Sequence, residues 1–133
     1  MTISSVIVAF NLNLYPLFDA IAKIESDCGR LSKNVYQLQD AYIDDVNRIL
    51  GRKEFDYNDK YDVGKSKEMM VVYLMRYGAI YESNTGNAVS YSVLARIHNG
   101  GPRGWKKHAT LKYWRKIQKA MKDAKISPAS VKP

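Results

Sequence analysis

Apolar residues recur along this chain at spacings of three and four, the interval that places side chains on one face of an α-helix. Leu17, Ala20, Ile21 and Ile24 form the first such stripe. Pro16 ahead of it suits a helix's first turn, where its missing N–H is no loss. The pattern predicts a helix from about Pro16 that ends between Glu25 and Gly29, followed by turns or short extended structure over Arg30 to Gln39. From Ala41 to Leu50, Tyr42, Val46, Ile49 and Leu50 share a side, and Gly51 can take the left-handed conformation that closes a helix. Arg52 to Tyr61 has no period and reads as a surface loop. Asp62 is a candidate N-cap for a helix over Val63 to Tyr77, with Met69, Met70, Val72, Tyr73 and Leu74 inward and Gly78 as its stop. A turn is expected over Ser83 to Asn87. Val89, Val93, Leu94 and Ile97 then carry a helix to Gly100 and Gly101, and Leu111, Trp114, Ile117 and Met121 mark a last one from about Thr110 to Lys125.

These elements describe an α+β protein that is predominantly helical, with at most a very small β element. A length of 133 residues suits one domain spanning 1–133, since that chain can bury one core but has little left for a second. Residues 1–13 read as an N-terminal arm and 127–133 as a frayed tail. The apolar share of 46%, with ten tyrosines, two tryptophans and three phenylalanines, excludes a disordered chain, which lacks surface to bury.

Charge and cysteine content narrow the partners. The 21 Lys and Arg residues against 13 Asp and Glu leave a net charge of +8, so the partner surface is expected to be anionic: nucleic acid, acidic lipid or bacterial wall. Cys28 is the single cysteine, which rules out an intramolecular disulfide and suggests a reducing compartment. The apolar run Val6 to Phe10 has no Lys or Arg before it and is broken by Asn11 and Asn13, far short of the roughly 20 residues of a membrane span. Neither a signal peptide nor stable membrane insertion is expected. His98 and His108 are the only histidines and no Cys/His/Asp spacing suits a metal; no metal and no cofactor are expected.

Glu25 is the residue most suited to chemistry. Its predicted place at the carbonyl end of a helix, beside Ile21 and Ile24, disfavours the charged carboxylate. A carboxyl group that holds its proton near neutrality can serve as a general acid. By position alone it equally fits a solvated helix-end carboxylate.

Four segments taken in order give that residue its context: Glu25-Ser26, Asn34-Val35-Tyr36-Gln37, Ala95-Arg96-Ile97-His98-Asn99-Gly100-Gly101-Pro102, and Thr110-Leu111-Lys112-Tyr113. Together they resemble the motifs of lysozyme-like lytic transglycosylases. Lys23 to Ser26, Gln37 to Tyr42, Arg76-Tyr77, Ala95 to Gly104 and Tyr113-Trp114 are similar to invertebrate-type lysozymes, and Tyr61 to Ser66 is similar to small lysozyme-like proteins of phages. The resemblance runs from about Phe18 to Gln118. It implies a lysozyme-like fold, bacterial peptidoglycan as the partner, and cleavage of the MurNAc-GlcNAc β-1,4 bond with Glu25 as the general acid. It also implies a glycan cleft in which Ser26, Tyr36, Gln37, Asn99, Gly100 and Tyr113 contact or line the sugar chain.

The pattern departs from invertebrate-type lysozymes in two ways: those are cysteine-rich, and the stretch between Glu25 and Tyr36 is shorter here, without the segment that bears their second carboxylate. Asp27, closest in sequence to Glu25, and Asp40, beside the Gln37 motif, are the candidates for that role, ahead of Asp44 and Asp45. Without one, Glu25 can serve as acid and then base, closing an anhydro ring on the muramic acid. With no export signal read, the expectation is a monomer made in the cytoplasm and delivered as a phage endolysin or virion lysin. The alternatives are an inactive glycan-binding or virion structural protein, and a basic nucleic-acid-binding module using Lys106, Lys107, Lys112, Arg115, Lys116, Lys119 and Lys122 beside Trp105 and Trp114. No nucleic acid is expected under the enzyme reading. A further alternative has the last helix lying on anionic membrane.

Overall fold

The computed structural model describes residues 12–124; of the expected arm over 1–13 it describes only the last two residues, of which Leu12 is buried in the core, and the expected tail over 127–133 lies outside the described residues. Five α-helices follow one another over this span: α1 (Tyr15–Ser26), α2 (Asp40–Leu50), α3 (Val63–Thr85), α4 (Tyr91–Gly100) and α5 (Leu111–Asp123). Short 3-10 turns at Tyr57–Tyr61, Gly104–Lys106 and His108–Thr110 join them, and no strand occurs among the described residues. The predominantly helical expectation therefore holds, with the β element reduced to nothing over this span.

Local chemistry sets most boundaries. Pro16 occupies the first turn of α1. Gly51 ends α2 at φ 74°, and the Asp62 carboxylate accepts from the Lys65 N–H at 2.9 Å to start α3. Ser90 caps α4 in the same way through Val93, at 3.2 Å.

The one helix end misread from sequence is Gly78. It lies buried inside α3, which continues to Thr85 and stops at Gly86, φ 75°. A glycine ends a helix only where the chain can profit from turning. Here Tyr77 before it is buried and Tyr81 beyond it packs on the core and on Trp105, with ring centroids 5.0 Å apart, so the inward face persists.

α3 supplies Met69, Met70, Val71, Tyr73 and Leu74 to the core. α2 and α4 pack against it, while α1 and α5 pair with each other and both touch α4. Leu12, Leu14, Leu17, Phe18 and Ile21 are fully buried around this junction. Each such side chain contributes about 1.5–3 kcal/mol by leaving water, enough to fix the end of α1 where Glu25 sits.

The chain after α4 is held just as tightly. Gly104 passes so close to the Arg96 carbonyl that a Cβ there would overlap backbone atoms, so only glycine permits the approach. Arg96 Nε donates to Thr110 Oγ1 at 2.8 Å, and that hydroxyl donates to the Gly104 carbonyl at 2.7 Å. These bonds lock the end of α4, with Asn99, to the start of α5, with Tyr113.

Candidate active site

Glu25 lies in the last turn of α1, half-buried. Removal from water raises its carboxyl pKa above the usual carboxylate value, while Tyr113 and then Lys116 pull the other way. The net direction is upward because desolvation outweighs a neutral hydroxyl and an exposed ammonium. Tyr113 and Lys116 stand one turn apart on α5, so the helix pairing of α1 with α5 delivers both to the acid.

The Tyr113 hydroxyl is buried and has no partner at full hydrogen-bond geometry. Glu25 nevertheless lies close enough to be felt: the carboxyl and burial together push the phenol far above its ordinary pKa. A buried O–H without a committed acceptor is costly, and here it remains available to the acid or to a ligand beside it. Tyr113 also acts on Tyr42, whose phenol burial holds well above its ordinary range. Neither Glu25 nor Tyr113 is among the residues that line the groove beside Tyr42.

That groove has a volume of about 540 Å³ and is lined by Gln39, Ala41, Tyr42, Asp44, Asp45, Arg48, Tyr73, His98, Asn99 and Gly101. Tyr42 stacks on Tyr73 with ring centroids 3.9 Å apart and meets His98 edge-on. The Tyr42 hydroxyl lies 3.1 Å from His98 Nδ1. Burial lowers the His98 pKa to about 4, with the Tyr36 backbone carbonyl opposing the shift. A neutral imidazole with its proton on Nε2 leaves Nδ1 free to accept from the Tyr42 hydroxyl. Asp45, at the far side, accepts from Tyr77 Oη at 2.5 Å and pairs with Arg48.

The predicted site residues fall into three groups. Glu25 and Tyr113 come together, and Asn99 lies exposed on the groove with Gly101 beside it. Gly100 is half-exposed, and its carbonyl accepts from Lys107 Nζ at 2.7 Å. Gln37 is half-exposed, at φ 53°, with its amide donating to the Asn34 carbonyl at 2.8 Å.

Ser26 and Tyr36, by contrast, are corrected from glycan contacts to scaffold. Ser26 is fully buried; its hydroxyl donates to the Val35 carbonyl at 2.7 Å and accepts from the Gly29 N–H at 2.9 Å. Tyr36 is 3% exposed and packs edge-on against Phe18. Both side chains clasp the loop that follows α1, which leaves neither face free for a sugar.

The two proposed second carboxylates are likewise engaged elsewhere. Asp27 pairs with Lys23 at 2.6 Å and Arg30 at 3.7 Å, which hold its carboxyl below the usual range. Asp40 pairs with Lys60 at 2.6 Å. Neither contributes to the shift at Glu25.

Tyr42, Tyr73 and Lys116 were not singled out as site residues from sequence. Tyr42 closes the Gln37 to Tyr42 segment and was the one with a signal. Tyr73 read as core, and Lys116 as one cation among many on the last helix.

The sequence has relatives named as lysozymes. A lysozyme of Meretrix lusoria is 32% identical over 108 residues, covering 74% of this chain and 83% of that protein. The chain belongs to the lysozyme-like family. An invertebrate-type lysozyme of Ruditapes philippinarum is 32% identical over 94 residues, or 70% of this chain and 63% of its own. Lysozyme 1 of Crassostrea virginica reaches 48% identity over 42 residues, 32% of this chain and 23% of that one. No family model matches the lysozyme-like chain, and no solved structure matches it significantly.

The relatives also correct an expectation. They are lysozymes of Meretrix lusoria, Crassostrea virginica and Ruditapes philippinarum, which are animals and not phages, and this overturns the expectation of a cytoplasmic phage product released at lysis. Over the described residues no helix is long and apolar enough to cross a membrane.

Proposed function

We propose that this lysozyme-like protein is a glycosidase that cleaves the β-1,4 bond between MurNAc and GlcNAc in bacterial peptidoglycan, with Glu25 as the general acid. The observation that carries the reading is the Glu25 carboxyl, half-buried against Tyr113 and raised in pKa, in a chain whose relatives are lysozymes. Bond breaking sends the Glu25 proton to the glycosidic oxygen and leaves a sugar cation at the cleaved carbon. Asn99 and the Gln37 turn, at the mouths of α4 and α2, orient the strand. The exposed cations of α5 (Lys112, Arg115, Lys116, Lys119 and Lys122) favour approach to an anionic wall.

The second half of the reaction is assigned to Glu25 alone. Retaining glycosidases hold a carboxylate about 5 Å from the acid, but all four candidates are engaged: Asp27 and Asp40 by cations, Asp44 by Tyr57, and Asp45 by Tyr77 and Arg48. Glu25, once ionised, is then the base: it takes a proton either from water or from the muramic acid's own hydroxyl as that oxygen attacks. The first course is hydrolysis and leaves a reducing end. The second is transglycosylation and leaves an anhydro sugar.

Mass spectrometry of purified peptidoglycan digested by the protein tests the reading and separates the two courses. The expected products are soluble disaccharide muropeptides. Intact strands after exhaustive incubation overturn the proposed activity.

A further inference from the structure

Thr110 stands at the N-cap of α5, where a threonine hydroxyl ordinarily accepts from the N–H groups of the first turn, yet it makes no such bond. The hydroxyl is turned sideways instead. It accepts from Arg96 Nε at 2.8 Å and donates to the Gly104 carbonyl at 2.7 Å, while Arg96 Nη2 donates to the Lys107 carbonyl at 2.9 Å. The Thr110 side chain is buried, and its methyl group fills the space over Gly100, where a Cβ would collide with it.

Giving up a cap destabilises a helix end, so the sideways bonds mark a different task. Arg96 is used in an equally uncommon way. A guanidinium fork suits carboxylates, but Arg96 is in none of the ion pairs among the described residues and spends its donors on a hydroxyl and a carbonyl.

What these bonds hold is the first turn of α5, which carries Tyr113. Farther along the helix, Ile117 and Met121 are buried and fasten its body to the core. Between Thr110 and Ile117 no residue is fully buried, so the place of Tyr113 depends on the tie at Thr110 as much as on the core. The Tyr113 hydroxyl ends beside Glu25, buried and without a partner at full hydrogen-bond geometry. An oxygen at the edge of bonding range responds to small displacements, because hydrogen bonds weaken steeply with distance and angle. The charged and titratable groups felt at Glu25 are Tyr113 and Lys116, both on α5.

We propose that Thr110, held by Arg96, is a positioning residue: its sideways bonds keep the first turn of α5 where the Tyr113 hydroxyl meets the Glu25 carboxyl. For its bearing on catalysis this inference rests on the glycosidase reading, and it deepens that reading by naming what holds the acid's neighbour in place. Thr110 acts on the reaction only through Tyr113.

The test is carbon-13 titration of the Glu25 carboxyl in three variants. Thr110→Val keeps the shape and loses the hydroxyl, Thr110→Ser keeps the hydroxyl, and Arg96→Met removes both donated bonds at a half-buried position. Tyr113 favours the carboxylate, so loosening it raises the pKa. Thr110→Val and Arg96→Met are expected to show most of the upward shift that Tyr113→Phe produces, and Thr110→Ser little of it. In the Tyr113→Phe background Thr110→Val is expected to add nothing, a non-additivity that a general loss of stability does not produce. The alkaline limb of kcat/KM is expected to move with the titration. An unmoved titration in a variant with native circular dichroism, a shift that persists without the Tyr113 hydroxyl, or loss of the fold in both Thr110→Val and Arg96→Met overturns the proposal. The titration needs no substrate, so each of these results leaves the glycosidase reading intact. Expected shifts in a protein that cuts no strand support the positioning of Tyr113 and overturn the glycosidase reading instead.

Discussion

Glu25→Gln is expected to lower the rate of peptidoglycan clearing by about 10²–10⁴-fold while the protein keeps its helical circular dichroism, because an amide cannot transfer the proton that the leaving oxygen needs. The fold has little stake in this side chain: Glu25 is in none of the ion pairs among the described residues. Its raised pKa means that holding the carboxylate half-buried opposes folding at neutral pH. The amide removes that opposition, so the variant is expected to be no less stable than wild type near pH 7. Asp27→Asn and Asp40→Asn, whose partners are Lys23, Arg30 and Lys60, are expected to retain most of the activity. Equal clearing by wild type and Glu25→Gln in a turbidity assay contradicts the assignment.

The second large effect concerns His98 and acid. Its folded-state pKa is lowered to about 4 from the ordinary 6.5, so between those values the unfolded chain takes up a proton that the folded one refuses. Stability is full above pH 6.5, falls as pH drops toward 4, and loses nothing more from this group below that. The difference amounts to about 3 kcal/mol. The groups facing the ring are the Tyr42 hydroxyl and the Tyr36 carbonyl, and neither supplies a charge to welcome the imidazolium. Gln at this position keeps one acceptor and one donor but has no proton to gain. Urea unfolding of wild type and His98→Gln at pH 7 and pH 4 is expected to show wild type losing about 3 kcal/mol more over that interval. Parallel losses contradict a neutral, buried His98.

Much of the fold was legible because it is written in local chemistry. The stripes of α1, α2 and α5, the Asp62 cap and the Gly51 stop each depend on residues within a turn or two. Gly78 misled because a glycine's meaning depends on what lies beyond it, and the helix had a further face to bury through Tyr81.

The site was legible only in part for the same reason. Glu25, Asn99 and Tyr113 were singled out because they sit in motifs that resemble a family. The desolvation of Glu25 and the engagement of Ser26 and Tyr36 depend on partners that no local pattern announces. His98 and Tyr42 are 56 positions apart, and their contact exists only once α2 and α4 have packed on α3. Tyr36 reads in sequence as a platform and in the fold as core, since burial, not residue type, decides which use an aromatic ring is put to.

The central claim is that Glu25 keeps its proton beyond the range of an ordinary carboxyl group. Carbon-13 NMR titration of the Glu25 side-chain carboxyl measures this without substrate. The pKa is expected above the usual 4.5 in wild type, and higher again in Lys116→Met and in Tyr113→Phe, because each removes a group that favours the carboxylate. The alkaline limb of the activity profile should move upward with it, since a general acid fails as pH rises through its pKa. A wild-type carboxyl that titrates at or below 4.5, unmoved by either substitution, contradicts the account.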